Sequence, residues 1–357
     1  MIKINEKQES SMRVNTELIP RILRDMNDGV LALDQSGRII YMNPQSRELF
    51  QLTEEALGKT YAEVFFGEHQ GEENDAFHQM VLEAIYGKEE AHHGTAVYID
   101  KQNKKRYFSI TSSFLKNDQT EDSCGVVMVM SDVTETEILK KKRYDASIVF
   151  SCVTACVCLY LLLLATLEFL KINVPTKALT QVINGMVCVI GFIIYKKTEF
   201  SFDELGLKVK NGKETFGIAF AISASVVALL AAVKLVLLKR NSGFFAEGTP
   251  FWNWNIGLYS WISYLFTSVL QEFLARSMIY GSIRKMFDGK NGTMAAIVLS
   301  SLLFGAVHIA HGFMYMAAAM ILLGALGGLY EKQRNIWGVA MIHYVLGQAA
   351  CCLGFLA

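Results

Sequence analysis

The stretch "SVLQEFLARSMIYG", residues 268–281, lies within a run of residues apolar enough to cross a lipid bilayer. It nevertheless carries an amide, a carboxylate and a guanidinium, at Gln271, Glu272 and Arg276. A charged side chain at the centre of a bilayer costs at least ~2.5–3.5 kcal/mol on insertion scales, so such residues usually face a cavity and have a function. Glu272 and Arg276 are four residues apart, hence on one face of a helix and able to form an ion pair. The stretch therefore predicts a membrane helix that carries a functional site.

The charged residues of the chain are concentrated in its first part. The 357 residues are 52% hydrophobic with a formal net charge of zero, a balance that gives no sign of nucleic-acid binding. Residues 1–145 hold most of the charge, whereas 146–357 consist of apolar runs separated by short polar gaps. The seven cysteines form no CxxC pair and are interpreted as small apolar side chains. The first twenty residues lack the apolar core of a secretory signal peptide, so we expect the polar part to stay in the cytoplasm.

The polar part predicts an α+β domain. The stretch "GVLALDQSGRIIYMN" (29–43) has the pattern of a hairpin, with a turn at Gly37. Helical patterns follow from Pro44, and "ENDAFHQMVLEAIYGKE" (73–89) is an amphipathic helix. Three further strands are predicted in "GTAVYID" (94–100), "KRYFSITSSFLK" (105–116) and "CGVVMVMSDVTE" (124–135). Two strands, short helices and three strands favour an antiparallel sheet with helices on one face.

This order of elements resembles a PAS domain over residues 20–135. The hairpin carries the resemblance at the start, and "SDVTE" (131–135) is similar to the Asp-x-Thr junction from which a signalling helix follows. We expect that helix or linker at 136–145 and a helical or flexible segment at 1–19. The helical part has no cysteine for a flavin, and His78 does not have the spacing expected of a haem ligand, so the ligand stays unknown. A sensor of a small molecule and a domain that only forms a homodimer are both compatible with the sequence.

The apolar part predicts an all-α polytopic membrane domain, residues 146–357. A span needs ~20 predominantly apolar residues. With the N-terminus inside, the inner segments hold fourteen Lys and Arg residues and the outer segments hold four. This excess predicts a plasma-membrane protein with its PAS-like domain in the cytoplasm and its C-terminus outside. Lys234 is interpreted as a lysine whose ammonium extends to the interface. The seven candidate spans are 146–170, 178–195, 215–238, 256–281, 292–310, 313–330 and 336–356.

Two histidines lie in later spans of the same domain. His308 is on the fifth span, one turn after Phe304, whose ring can pack against the imidazole. His343 is on the seventh span, at a depth close to that of Glu272. Two histidines and a carboxylate that converge in a bundle can bind a metal or hold a water molecule for attack on a carbonyl group.

These residues resemble the motifs of the CPBP family of intramembrane proteases, also called the Abi or type II CAAX-processing family, over roughly residues 150–357. The family has Glu-Glu-x-x-x-Arg, Phe-x-x-x-His and His-x-x-x-Asn/Asp on successive membrane helices. The chain has "QEFLAR" (271–276), "FGAVH" (304–308) and "HYVLG" (343–347) in that order. "SFDELGLK" (201–208) is similar to the Leu-Gly segment that precedes the family's core helices.

The resemblance implies an intramembrane (metallo)endopeptidase whose substrate is a transmembrane or lipidated peptide. It implies a divalent metal, such as zinc, at His308 and His343, with Phe304 in a supporting position. The implied catalytic set is Gln271, Glu272, Arg276, His308 and His343.

Two positions depart from the family pattern. Gln271 stands where the family has the glutamate that activates water, and an amide accepts no proton at neutral pH. Glu272 follows, but one residue turns a helix by about 100°, so we expect Glu272 to point elsewhere. Gly347 stands where the family has Asn or Asp.

The departures leave other functions open. A pseudoprotease would bind a membrane partner, as a signalling receptor, without cutting it. Glu272 and Arg276 would then be a structural ion pair that only holds helices together. A transporter fits less well, because the sequence shows no inverted repeat and no pair of broken helices.

Overall fold

The chain divides into two compact units, Met1–Leu139 and Lys140–Ala357. The computed structural model describes residues 18–66, 74–87, 91–100, 102–116, 123–240, 243–246, 248–287 and 289–355. Of the N-terminal segment predicted at 1–19, residues 1–17 lie outside the described residues. Residues 18–25 form a helix, α1.

The first unit contains a five-stranded antiparallel sheet with the strand order β2-β1-β5-β4-β3. The hairpin and the fourth strand occur where the sequence predicts them, and β3 begins three residues earlier than predicted. The last strand ends at Asp132, three residues before the predicted end, because a helix begins at Thr134. A 3₁₀ turn, Glu54–Ala56, lies between the first two helices after the hairpin. The strands are β1 (Gly29–Asp34), β2 (Ile39–Met42), β3 (Ala91–Ile99), β4 (Lys105–Lys116) and β5 (Ser123–Asp132), and the helices after β2 are α2 (Pro44–Phe50), α3 (Tyr61–Phe65) and α4 (Asp75–Tyr86).

Short-range hydrogen bonds fix the start of this unit. The hairpin turn has Gly37 at φ 72°, and the Asp34 carboxylate accepts from the backbone N–H of Arg38 at 2.9 Å. Asn43 caps α2: its side-chain oxygen accepts from the N–H of Ser46 at 2.9 Å and from that of Val30 at 2.8 Å. A buried Asn side chain thus joins the helix to the hairpin. The core between sheet and helices is aromatic at its centre, with rings of Phe50, Phe77, Tyr98 and Phe108 in mutual contact.

Among its described residues, the regular structure of the second unit is helical, and its first helix begins at Thr134, before the boundary between the units. A π-helix, Phe273–Tyr280, continues α8 directly into α9, and a 3₁₀ turn, Ile309–His311, follows α10. The helices are α5 (Thr134–Phe169), α6 (Thr176–Lys197), α7 (Gly212–Lys239), α8 (Leu258–Glu272), α9 (Gly281–Met286), α10 (Gly289–Ala306), α11 (Phe313–Gln333) and α12 (Ile336–Cys352).

Four of these helices, among the described residues, are long and apolar enough to cross a membrane: α5, α6, α7 and α11. The total of seven spans therefore stays a prediction. The segment predicted as a linker at 136–145 and the first predicted span form one continuous helix, α5. α10 ends at Ala306, four residues before the end predicted for the fifth span, and His308 lies in the turn that follows.

Lys234 is a structural residue of the helical unit. Its interpretation as a lysine that extends to the interface is wrong, because its side chain is fully buried. The ammonium donates to the carbonyl oxygens of Pro250 and Leu353, at 2.7 Å each, and lies 4.8 Å from the ring of Phe245. Lys234 thereby joins α7 to the residues that precede α8 and to the C-terminal end of α12.

Candidate active site

Glu272, the last residue of α8, lies at the centre of the candidate site. Its carboxylate is fully buried, and each oxygen has its own partner. Oε1 is 2.8 Å from Nδ1 of His343 on α12, and Oε2 accepts from Nε of Arg276 at 3.0 Å. A buried carboxylate without partners would be very costly, so these contacts account for its placement. Glu272 therefore points at His343, a direction that helical periodicity alone does not predict.

Arg276 joins this carboxylate to a third helix. Its guanidinium is fully buried, and Nη2 donates to the backbone oxygen of Leu323 on α11 at 3.0 Å. Nη1 has no hydrogen-bond partner and faces Gly327, where a Cβ would approach it to 3.1 Å. The small residue on α11 thus makes room for the guanidinium. Arg276 thus pairs with Glu272 and connects the site to α11.

The backbone between these two residues departs from a regular α-helix. Residues Phe273–Tyr280 form a π-helix, a feature that often occurs at functional sites. Gln271, just before it, is buried, yet no described residue forms a hydrogen bond with its amide. An amide is a donor as well as an acceptor, so Gln271 is free to bind a ligand group.

His308 lies beside this group, held by the turn after α10. Its Nδ1 donates to the backbone oxygen of Phe304 at 2.9 Å, which leaves Nε2 as an acceptor. The ring packs 4.7 Å from that of Phe304 and stacks 5.8 Å from that of Tyr315 on α11. The ring of Phe304 also lies 6.4 Å from the ring of His343. Phe304 therefore packs against the imidazoles of both histidines. His311 stacks on Tyr315 at 5.0 Å, at the margin of the site.

Tyr264 is a site residue that the sequence motifs do not identify. It lies on α8, two turns before Gln271, and its ring is 6.3 Å from that of His343. A Cβ on Gly347 would be only 1.9 Å from the Tyr264 hydroxyl. The hydroxyl therefore occupies the space of a side chain at position 347, one turn from His343. The only sequence signal for this arrangement is the glycine at the third motif.

Three consecutive carbonyl groups of the segment between α6 and α7 hold the helices of the site. Leu205 accepts from the hydroxyl of Ser277 in the π-helix, and Gly206 accepts from the N–H of Ile336 at 2.9 Å. Leu207 accepts from the indole N–H of Trp337 at 2.9 Å. The Leu-Gly segment noted in the sequence is thus in contact with both helices that carry the Glu272–His343 pair. We call residues 199–210 the connecting segment.

Two protein families match the sequence, one in each unit. Residues 27–135 match a PAS domain family. Residues 253–347 match the family described as type II CAAX prenyl endopeptidase Rce1-like. The chain thus has a region that matches a PAS domain in its first unit and a region that matches an Rce1-like domain in its second. The second match covers every residue of the candidate site described above, from Tyr264 to Gly347.

Several solved structures are similar to the first unit, among them isolated PAS domains. One is the PAS domain of a protein from Colwellia psychrerythraea, with 16% identity, 34% of this chain and 98% of that chain covered, and a TM-score of 0.28. An RNA-binding light-oxygen-voltage receptor has 15% identity and a TM-score of 0.28, with 35% of each chain covered, so the match spans about a third of that receptor. The PAS domain of an HTR-like protein from Haloarcula marismortui has 13% identity and a TM-score of 0.27, and the match covers 36% of this chain and 98% of that domain. No curated protein matches the sequence.

The described side chains of the Rce1-like match offer few of the ligands that a zinc site needs. A catalytic zinc ion usually has three protein ligands and one open position. The described residues contain no group of three or more His, Cys, Asp and Glu side chains that could hold a metal ion. Both oxygens of Glu272 are already hydrogen-bonded, and His308 and His343 offer one free ring nitrogen each. The zinc ion predicted at His308 and His343 therefore does not fit this set of donors.

Proposed function

We propose that the helical unit is a membrane-embedded endopeptidase of the CAAX-protease type, regulated by the PAS domain. Its substrate would be a transmembrane or lipidated peptide, with the PAS domain in the cytoplasm and the C-terminus outside the plasma membrane. The observation that carries the proposal is the contact between Glu272 and His343 inside the Rce1-like match. An imidazole oriented by a buried carboxylate is a common general base.

His343 takes the place of the missing glutamate base in this proposal. Ionised Glu272 accepts the Nδ1 proton of His343, so Nε2 carries the lone pair that receives a proton from water. The water oxygen attacks the peptide carbonyl carbon, and the proton held on Nε2 then passes to the leaving nitrogen as the C–N bond breaks. Arg276 keeps Glu272 anionic, which stabilises the imidazolium that forms in between. In this proposal His308 Nε2 and the Gln271 amide bind the water molecule and the substrate carbonyl.

A cleavage assay tests this assignment. The full-length protein in liposomes is incubated with prenylated and transmembrane peptides, with and without a chelator. Loss of a general base lowers kcat by about 10²–10⁴-fold, so His343→Gln should lower it by that amount. His311→Gln is the matched control, since His311 lies at the margin of the site, and its rate should stay close to that of the wild type. Equal rates for both variants would refute the role of His343.

The connecting segment offers a route by which α5 can influence the site. Lys141 and Lys142, in the part of α5 that belongs to the helical unit, form ion pairs with Glu199 and Glu204, the latter at 2.9 Å. Asp145 accepts from the backbone N–H of Glu199 at 3.2 Å. The same segment contacts the π-helix and α12 through its carbonyl groups, as described above. We therefore expect a displacement of α5 to move the connecting segment and the helices that carry Glu272 and His343.

A pseudoprotease is the second candidate function. Gln271 and Gly347 favour it, because an amide does not act as a base and glycine has no side chain. A protein of this kind would bind a membrane partner and signal through the PAS domain, for which we propose a homodimer. Gln271→Glu separates the two candidates: a pseudoprotease should gain cleavage from the new carboxylate, whereas an enzyme that uses His343 should gain little.

A further inference from the structure

A pocket of about 290 Å³ lies beside the connecting segment, away from Glu272 and His343. The connecting segment forms one wall, and the end of the π-helix, α9 and the last turn of α11 form the others. Its volume is near the lower end of the ~300–1,000 Å³ range of small-molecule sites. Four cations and two tyrosines dominate the lining: Lys210, Arg284, Lys285, Arg334, Tyr280 and Tyr330.

The carboxylates of the pocket already have partners. Asp203 is paired with Lys210, and Glu204 is 2.9 Å from the ammonium of Lys142. Glu331, behind the lining, is 2.7 Å from Arg334 and accepts from the hydroxyl of Tyr280. These three acids therefore balance the charges of Lys142, Lys210 and Arg334.

Two lining cations are left without a carboxylate partner among the described residues, Arg284 and Lys285. Nε of Arg284 is buried and has no hydrogen-bond partner, and Nη1 donates only to the backbone oxygen of Phe287 at 3.1 Å. The Lys285 ammonium lies 4.0 Å from the ring of Phe200. Burial lowers the pKa of Lys285, as do Lys142 and Arg334, while Glu204 raises it. Positive charge in this pocket is thus incompletely balanced, and an anion would stabilise it.

We propose that this pocket binds the phosphate group of an anionic phospholipid headgroup. A phosphate group offers several acceptor oxygens, which suit the fork of a guanidinium and an adjacent ammonium. Basic pockets at the cytoplasmic ends of membrane helices commonly hold such headgroups. The cations lie in the inner segments that the Lys and Arg distribution predicts, where the inner leaflet supplies anionic lipid. This inference is independent of whether the protein cleaves peptides.

Thermal unfolding of the full-length protein in detergent tests the proposal. The probes are short-chain phosphatidylglycerol, short-chain phosphatidylcholine, glycerol phosphate and inorganic phosphate. A ligand that binds the folded state, at a concentration of tens to hundreds of times its Kd, should raise the midpoint of thermal unfolding by about 4–10 °C. We expect this shift with phosphatidylglycerol and not with phosphatidylcholine, and we expect R284Q/K285Q to lose it. K290Q/K332Q removes the same charge from exposed lysines outside the pocket and should keep the full shift.

The other outcomes also decide the question. Equal shifts with inorganic phosphate or glycerol phosphate, lost in R284Q/K285Q, would support a phosphate site that takes a soluble ligand. An unchanged midpoint with every phosphate, or equal shifts in R284Q/K285Q and the wild type, would overturn the proposal. If the double variant does not fold, the single variant K285Q, whose side chain is only half-buried, replaces it in the same comparison.

Discussion

Gly347 and Tyr264 depend on each other, because the tyrosine hydroxyl lies where a Cβ at position 347 would be, 1.9 Å away. Gly347→Ala should therefore lower the free energy of unfolding by about 1–3 kcal/mol, the usual cost of overpacking. Gly328→Ala is the matched control on α11, since a Cβ there meets nothing within 4 Å. It should leave stability unchanged or raise it by up to about 1 kcal/mol, as Gly to Ala does in helices.

Chemical denaturation of both variants in detergent measures the difference. Adding Tyr264→Ala to Gly347→Ala should cost less than the sum of the two single changes, because the clash is then absent. Strict additivity would mean that Tyr264 and Gly347 are not in contact.

His78 makes the stability of the PAS domain depend on pH. Its Nδ1 is 2.8 Å from the hydroxyl of Tyr61, and its Nε2 is buried without a hydrogen-bond partner. Burial lowers the pKa of His78 below 6.5, with a smaller opposing effect of Asp75. The unfolded chain then binds the proton more readily than the folded chain. The free energy of unfolding should therefore fall as the pH drops through 6.5 and continue to fall until the folded state is protonated.

Hydrogen exchange of the sheet amides in the full-length protein, from about pH 7.5 to about pH 5.5 with correction for intrinsic exchange, measures this loss. His78→Gln should reduce the pH dependence, because glutamine does not titrate. His93→Gln, an exposed histidine on β3, should keep it. The same dependence in both variants would show that another group is responsible.

At the residue scale the sequence predicts the contact of Glu272 with Arg276 and that of Phe304 with His308, but not the contact of Glu272 with His343. Glu272, Arg276 and His343 come together in the structure, although Glu272 was expected to point away. Helical periodicity gives the angle between neighbouring side chains of one helix. The partner of Glu272 lies on α12, more than sixty residues later in the chain, so the contact depends on how the two helices pack. Tyr264 could not be identified for the same reason, since its relation to Gly347 exists only in the packed helices.

At the scale of elements, Lys234 holds the ends of two helices together. Its ammonium is the donor for the carbonyl groups of both Pro250 and Leu353. Lys234→Met keeps the volume of the side chain and removes the donor for both carbonyl groups; we expect a cost of about 1–3 kcal/mol, mainly from the carbonyl group of Leu353, which is fully buried, whereas Pro250 is exposed to water. Lys239→Met, at the exposed end of the same helix, is the matched control and should change little. Thermal unfolding in detergent compares the two, and equal midpoints would contradict the role assigned to Lys234.

Apolar patterning predicts the existence of these helices better than their ends. α10 ends before His308, and the helix that begins as α8 becomes a π-helix at Phe273. A hydropathy profile does not show either change, because apolar residues lie both before and after the end of α10 and the start of the π-helix. Short-range signals were more informative in the PAS domain, where Gly37 and Asn43 fix a turn and a helix start within a few residues.

At the scale of the whole molecule, the division into a charged part and an apolar part follows from composition, and the chain does divide into two compact units. The number of membrane spans does not follow in the same way, because short apolar helices can pack inside a bundle or cross the bilayer. The contact between α5 and the connecting segment could not be predicted from the sequence either. Lys142 and Glu204 are far apart in sequence, and they meet only because α6 returns the chain towards the start of α5.

The continuity of α5 makes the proposed regulation testable by changing the phase of this helix. α5 begins at Thr134, directly after the last PAS strand, and continues past Lys142 into the first apolar helix. One alanine inserted after Leu139 rotates the preceding part of the helix by about 100°, whereas seven alanines restore the phase to within about 20°. The ion pairs of Lys141 and Lys142 lie after the insertion, so they transmit the rotation to the connecting segment.

We expect the single insertion to change hydrogen exchange at the backbone amides of residues 199–210 and the rate of peptide cleavage, and the seven-residue insertion to restore both. Hydrogen exchange reports on the connecting segment whether or not the protein cleaves a peptide, so a pseudoprotease would show the same periodicity in exchange alone. A response that increases steadily with insertion length would indicate that α5 acts only as a spacer. No response at any length would mean that the PAS domain does not act on the Glu272–His343 pair through α5.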